Sequence, residues 1–381
     1  MSGSENYAAV CNSFYHCDRS GILLQPYLAA ACALFGFASG MKRNADCDRR
    51  FTMTEPVLSK LEQRLGGRVY ARQRLKIETD REAQVFGQGL FNFFHIGNWY
   101  PIHSVIHILL KLTGMYWRGR RNTARVQVKH NDVHFRTLPP QFDGFTLLHI
   151  SDFHADMNDG AMRRLEEILP GLSYDLCVLT GDYRGASFGQ FGDALACMRP
   201  ALTRIKSPVY GVLGDHDSIR MVPDLEAMGI RLLLNEFDSI TRAGASIYVA
   251  GIDDAHYFRV GNIEKAASGI PHQAFSILLS HTPEIYRQAA HAGFDLLLSG
   301  HTHGGQICLP GSIPVTLDSV LPRKFGAGAW TYHEMAGYTS VGVGSSIATV
   351  RINCLPEITL HRLFCGSSIR AVAQPQPKKK T

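Results

Sequence analysis

The chain has 381 residues, of which 45% are hydrophobic and 19% charged. That composition excludes a disordered protein and supports a sizeable buried core, and the length suits one large domain with an appendage. The formal net charge of +6 is unevenly placed: residues 1–140 carry 19 Lys and Arg against 10 Asp and Glu, while residues 141–381 carry 20 against 23. The basic front points to an anionic partner, a membrane surface or nucleic acid, and the remainder has its own acidic chemistry. Nine cysteines without a C-x-x-C pair leave one over, which favours reduced thiols in a cytoplasmic protein over a disulfide framework.

Met1–Ser20 contains Glu5 and Asp18 and no basic leading region, unlike a secretory signal. Gly21–Met41 runs 21 residues without a charge, but Gln25, Pro26 and many small residues make it a poor membrane span. Pro56–Ile77 spaces Val57, Leu58, Leu61, Leu65, Val69 and Leu75 at helical intervals and predicts a solvated amphipathic helix broken at Gly66-Gly67. Ala83–Leu110 then runs 28 residues without a charged side chain and contains Phe86, Phe91, Phe93, Phe94, Trp99 and Tyr100. Lys111, Arg118, Arg120, Arg121 and Arg125 follow, interleaved with Tyr116 and Trp117. Aromatics beside arginines suit a membrane-interface helix or lipid-binding lid, and equally a helical cap with a solvated basic edge. His95, His103 and His107 lie in the uncharged run without a carboxylate partner and read as satisfied or interfacial histidines rather than metal ligands.

Ala124–Val128 and Val133–Phe135 predict a short hairpin around His130-Asn131-Asp132. The domain boundary falls at Leu138-Pro139-Pro140. It divides a mostly helical front (1–140) from an α/β domain (141–366) in which apolar runs alternate with helical segments such as Ala161–Leu169 and Glu284–Ala292. A low-complexity basic tail (367–381) with Lys378-Lys379-Lys380 reads as disordered.

Five apolar runs of strand length in the α/β part end in residues able to bind metal. Phe145–Ile150 leads to Asp152 and His154, Tyr174–Thr180 to Asp182, and Val209–Leu213 to Asp215, His216 and Asp217. Ser276–Ser280 leads to His281, and Phe294–Leu298 opens through Ser299-Gly300 into His301-Thr302-His303. Because ligands of α/β sheets bind beyond the carboxyl ends of the strands, all five loops are expected to meet in one crevice. Taken alone, Asp-x-His could cap a helix, Gly-Asp could be a turn, and His-x-His could place both rings on one ion or spread them over two.

The ordered set Asp-x-His, Gly-Asp, Gly-Asp-His-Asp, His and Gly-His-x-His resembles the calcineurin-like metallophosphoesterase superfamily over about residues 145–363. With Arg351-Ile352-Asn353-Cys354-Leu355-Pro356-Glu357-Ile358, it is most similar to the bacterial membrane-associated phosphodiesterase branch. A relative in function is the UDP-2,3-diacylglucosamine pyrophosphohydrolase of lipid A biosynthesis. The resemblance implies a four-layer β-sandwich flanked by helices, with the N-terminal helical region as an extension.

It further implies that Asp152, His154, Asp182 and His303 hold one divalent ion and Asp182, Asp215, His281 and His301 a second, with Asp182 shared. Mixed carboxylate and imidazole ligands suit Mn²⁺, the favoured metal, and also Fe or Zn²⁺. Two ions about 3.5–4 Å apart can activate a water and clamp the attacking and leaving oxygens. His216 would then contact the phosphoryl group or leaving group, with Asp217 orienting its ring. Arg323, Lys324 and Arg351 are candidates for a substrate phosphate. Asp215 departs from the family, which usually has Asn there.

The function expected is hydrolysis of a phosphodiester or pyrophosphate in an amphiphilic, lipid-linked substrate such as UDP-2,3-diacylglucosamine, at the cytoplasmic face of the inner membrane. A soluble nucleotide or nucleic acid phosphodiesterase is the competing enzyme, and a non-catalytic scaffold the competing class. Gly251-Ile252-Asp253-Asp254-Ala255-His256 is a further strand-end cluster to which the family pattern assigns no ligand, and it reads as a crevice wall.

Overall fold

Central strands buried along nearly their whole length organise the structure, a computed structural model that describes residues 55–87, 108–346, 349–366 and 372–373. The strands are β1 (Gln127–Phe135), β2 (Phe145–Ile150), β3 (Leu176–Leu179), β4 (Val209–Gly211), β5 (Ile230–Leu232), β6 (Glu236–Arg242), β7 (Ala245–Gly251), β8 (Ser276–Leu279), β9 (Leu296–Ser299), β10 (Cys308–Leu309), β11 (Ile313–Pro314), β12 (Gly328–Tyr332), β13 (Met335–Thr339), β14 (Glu357–Cys365) and β15 (Val372–Ala373). A seven-stranded sheet has the order β15-β1-β14-β2-β3-β4-β5 and a six-stranded sheet the order β12-β13-β9-β8-β7-β6. The helices are α1 (Glu55–Leu65), α2 (Arg68–Gly87), α3 (Met115–Asn122), α4 (Asp159–Ile168), α5 (Gly192–Leu202), α6 (Val222–Ala227), α7 (Ile263–Ala267) and α8 (Tyr286–His291).

Successive side chains of a strand point to opposite faces, so a strand buried on both faces must be apolar throughout. Leu147, Leu176, Val178, Ile277, Leu279, Leu296 and Leu298 fill the space between the two sheets. Their neighbours Leu148, Cys177 and Leu179 face a helical layer that includes Met162 and Leu165 of α4 and Met198 of α5. On the far side, Leu278 and Leu297 of the six-stranded sheet pack on Tyr286 and Ala289 of α8. The result is the expected four layers, with each buried Leu contributing roughly 1.5–3 kcal/mol.

The chain divides into two compact units, Met1–Thr52 with Gln84–Asn98 and Met53–Ala83 with Trp99–Thr381. Apart from the last turn of α2, the features below lie in the second. The Gly21–Met41 segment, residues 88–107 of the aromatic run with His95, His103 and His107, and Lys378-Lys379-Lys380 lie outside the described residues. Among the described residues, no helix is long and apolar enough to cross a membrane.

Three local expectations are corrected. The helix broken at Gly66-Gly67 forms as α1 and α2, but it is not a solvated appendage. Leu61, Leu65 and Ala71 enter the core, and Arg64 bonds Glu226 and Glu236 at 2.7 and 3.0 Å. Arg74 is fully buried, its guanidinium 3.3 Å above the Phe258 ring, with Nε 3.3 Å from Asp253. The predicted hairpin is instead the single strand β1, paired in parallel with β14 and antiparallel with β15. His130-Asn131-Asp132 continues the strand because its polar groups find partners there. Asn131 Nδ2 lies 2.9 Å from His361 Nδ1, and Asp132 takes both Arg362 nitrogens at 2.7 Å. Within the tail expected to be disordered, Val372–Ala373 adds the short edge strand β15.

Candidate metal centre

The five loops that end β2, β3, β4, β8 and β9 meet, but they come from two sheets: three from the seven-stranded sheet and two from its six-stranded neighbour. Their backbone is unusual at the residues that matter. Asp152, His154, Asp182, His301 and His303 all have left-handed φ, between 39° and 72°. For a residue with a Cβ this costs on the order of 1–3 kcal/mol each, and such strain persists where the surroundings impose a geometry that function requires. Gly300 lies so close to Ser151 and Asp152 that a Cβ would overlap both side chains, so glycine there lets β9 pass directly beneath Asp152.

The donor atoms form two groups. His303 Nε2 lies 3.1 Å from His154 Nε2 and 3.6 Å from Asp152 Oδ1. His301 Nδ1 lies 3.2 Å from His281 Nε2, and Asp215 Oδ1 is 3.1 Å from each of those two nitrogens. Asp182 Oδ2 stands between the groups, 3.5 Å from His154 Nε2 and 3.4 Å from His281 Nε2. The seven residues singled out in the sequence are thus brought together, and all of them are buried.

The donor chemistry fits cations. His154 Nδ1 and His281 Nδ1 each face a backbone carbonyl, of Arg184 at 3.0 Å and Thr180 at 2.7 Å. A carbonyl only accepts, so these Nδ1 atoms carry protons, which leaves each Nε2 as the atom that would face a metal. Burial holds His154 down to about 4 and His303 well below the usual range, which keeps both rings neutral. Burial also opposes charge on His281 and His301, but Asp182 and Asp215 outweigh it and raise both, His301 to about 9. The field of the three carboxylates therefore draws positive charge, which divalent ions would supply.

His216 borders the first group, its ring centroid 4.9 Å from that of His154. Its Nδ1 lies 2.5 Å from the Gly185 carbonyl and 3.1 Å from Ser187 Oγ. The sequence reading gives Asp217 the role of orienting that ring, and the structure corrects it. Its carboxylate accepts from the amides of Asp182, Tyr183 and Gly214, all at 2.8 Å, and so ties the β3 and β4 loops together. Nor can Arg351 receive a substrate phosphate: it is fully buried, gives Nη2 to the Val341 and Gly344 carbonyls at 2.6 Å, and lies 3.1 Å from His303 Nδ1. Arg323 and Lys324 sit on an exposed turn, Lys324 Nζ 4.8 Å from the Phe325 ring centre, and no described contact joins them to the cluster.

Sequence reasoning missed Arg184, whose Nε donates to the His216 carbonyl at 2.6 Å and fixes that loop. Its position two residues after Asp182 was the available signal. It also missed the pairing of His256 with Glu284, for which the spacing holds no clue.

Carboxylates and imidazoles converging where two sheets present their carboxyl edges form a donor set suited to divalent ions. Residues 145–305 match the calcineurin-like phosphoesterase family. The chain carries a calcineurin-like metallophosphoesterase domain, and its activity class is hydrolysis of phosphoric esters. It is 26% identical to the uncharacterized metallophosphoesterase YkoQ of Bacillus subtilis over 271 residues, 67% of this chain and 97% of the relative. It is also 26% identical to phosphodiesterase YaeI of Escherichia coli over 232 residues, 58% of this chain and 82% of that one. A Danio rerio transmembrane protein with a metallophosphoesterase domain is 29% identical over 248 residues, 60% of this chain but only 55% of its own length.

Proposed function

We propose that the protein is a phosphodiesterase dependent on two divalent ions, Mn²⁺ favoured over Fe or Zn²⁺. Asp152, His154, Asp182 and His303 would hold one ion and Asp182, Asp215, His281 and His301 the other. The observation that carries this reading is Asp182 Oδ2, placed between two separate donor groups. When bound, the ions would supply Lewis acidity and an activated water. His216 uses Nδ1 to hold its ring on Gly185 and leaves Nε2 to hydrogen-bond a phosphoryl oxygen or give a proton to the leaving group. Asp217 and Arg184 keep His216 and Asp182 in register. Phosphodiester chemistry is also what the name of YaeI states for that relative.

The substrate we favour is amphiphilic and lipid-linked, a nucleotide-linked glycolipid such as UDP-2,3-diacylglucosamine among them, reached at the cytoplasmic surface of the inner membrane. Ile108, Leu109, Leu112 and Trp117 are exposed beside Lys111, Arg118 and Arg121, an apolar and basic combination that suits lipid headgroups. On this reading residues 1–140 serve as the membrane-facing or lid region, 141–366 as the catalytic domain and 367–381 as a basic tail, with Arg323 and Lys324 open to a substrate phosphate. Hydrolysis of bis-p-nitrophenyl phosphate with added Mn²⁺, abolished by chelation and by His216→Ala, is the expected result. No turnover with Mn²⁺, Fe²⁺ or Zn²⁺ would instead favour a non-catalytic scaffold. Preference for nucleotide or nucleic acid diesters over lipid-linked ones would move the substrate away from the membrane.

A further inference from the structure

The Gly251–His256 loop, which the metal ligands leave unused, is fixed from several sides. Asp254 accepts from the amides of His256, Tyr257 and Phe258 at 3.2, 2.7 and 2.6 Å, and Asp253 lies against buried Arg74. The loop thereby sets the His256 ring centroid 4.4 Å from that of His301. His256 Nδ1 lies 2.8 Å from Oε2 of Glu284, which enters three residues beyond His281. The other Glu284 oxygen accepts from the Ser319 hydroxyl at 2.9 Å and the Val320 amide at 3.3 Å. Burial works against the Glu284 charge, but the His256 bond outweighs it and holds the carboxyl down to about 2. An ionised carboxylate only accepts, so His256 Nδ1 donates to Glu284, and a ring paired with that carboxylate can carry a second proton on Nε2, where it can donate to an anionic oxygen.

His256 mirrors His216. One ring stands against His154 of the first donor group and the other against His301 of the second. Each has Nδ1 committed to a fixed acceptor, and the two side chains are 18% and 30% exposed, more than those of the buried ligands between them. The acceptors differ, a neutral carbonyl for His216 and a carboxylate for His256. Glu284 can balance a positive ring next to an anionic substrate without adding net charge to the crevice.

We propose that His256, held by Glu284, is a substrate-binding residue on the flank of the second donor group, offering Nε2 to a phosphate oxygen of the bound diester. The proposal rests on the phosphodiesterase reading above. His256 then acts on substrate affinity, and Ser319 and Val320 link that affinity to the loop preceding Arg323.

The test uses the full chain with saturating Mn²⁺ and bis-p-nitrophenyl phosphate, with metal content measured on each variant. His256→Ala should raise KM about tenfold, the effect of one charge-assisted hydrogen bond, with kcat within about threefold and metal content equal to wild type. His256→Gln, which keeps a donor of similar reach, should recover part of the loss, and Glu284→Gln should raise KM by about threefold. Unchanged KM in His256→Ala would overturn the proposal, as would a rise accompanied by metal loss and reversed by more Mn²⁺, since that marks a purely structural role. Should His256→Ala fold poorly, His256→Gln decides: wild-type KM without metal loss supports a contact that glutamine can replace only if Glu284→Gln still raises KM, and overturns it otherwise. Wild-type protein without metal-dependent turnover sinks the phosphodiesterase reading itself, whereas active wild type with indifferent His256 and Glu284 variants sinks this inference alone.

Discussion

Asp217→Asn separates two roles that a carboxylate beside His216 could have. In the structure Oδ2 accepts from the amides of Asp182 and Gly214 and Oδ1 from that of Tyr183, all at 2.8 Å. An asparagine can present its oxygen to only one side, so it keeps at best the Asp182 and Gly214 bonds and turns an NH₂ toward the Tyr183 amide. One orphaned buried amide costs roughly 1–3 kcal/mol, and two bonds weakened from charge-assisted to neutral strength cost about 1 kcal/mol each. The loss is therefore about 3–5 kcal/mol, which lowers Tm by roughly 6–20 °C for a domain of this size. Thermal denaturation of metal-loaded and chelated protein reads it, with metal content measured alongside because Asp182 loses its anchor. A variant melting within about 1 °C of wild type, with only its pH-rate profile moved, would refute this reasoning and restore Asp217 as the group that orients His216.

Arg351→Met should lower metal occupancy while leaving KM of the loaded fraction unchanged, because Arg351 braces His303 and does not reach substrate; metal analysis beside steady-state kinetics checks it. Asp215→Asn removes one negative charge from the second donor group and should raise monoester turnover relative to diester turnover; equal ratios in both proteins would show that either residue ligates equally well. Arg74→Met strips the counter-charge from buried Asp253 and should destabilise the protein by about 3–5 kcal/mol, seen as a lower melting temperature.

The fold was legible because its strands are buried on both faces. Phe145–Ile150 is delimited to the residue, since its run holds only Thr146 and His149 as polar members and no turn residue. The same criterion failed at β1, where Asn131 and Asp132 looked like a turn; their partners His361 and Arg362 lie some 230 positions away and leave no local trace. The donor residues could be located because metal-ligating types stand at strand ends, yet local spacing could not say that Asp217 spends its carboxylate on four backbone amides or that Arg351 is buried. The solvated reading of Pro56–Ile77 fails for a related reason: cations on an amphipathic helix usually face water, and only the tertiary fold brings Glu226, Glu236 and Asp253 to meet Arg64 and Arg74. Left-handed backbone at five of the seven donor residues is likewise invisible in residue types other than glycine.

Two donor groups joined by Asp182 should hold two separate ions. Crystals grown with Mn²⁺ and measured at its absorption edge test it most directly. Two anomalous peaks are expected, one bound by His303 with Asp152 and His154, the other by His301 with Asp215 and His281, with Asp182 touching both. A single peak bound by both His301 and His303 would contradict it.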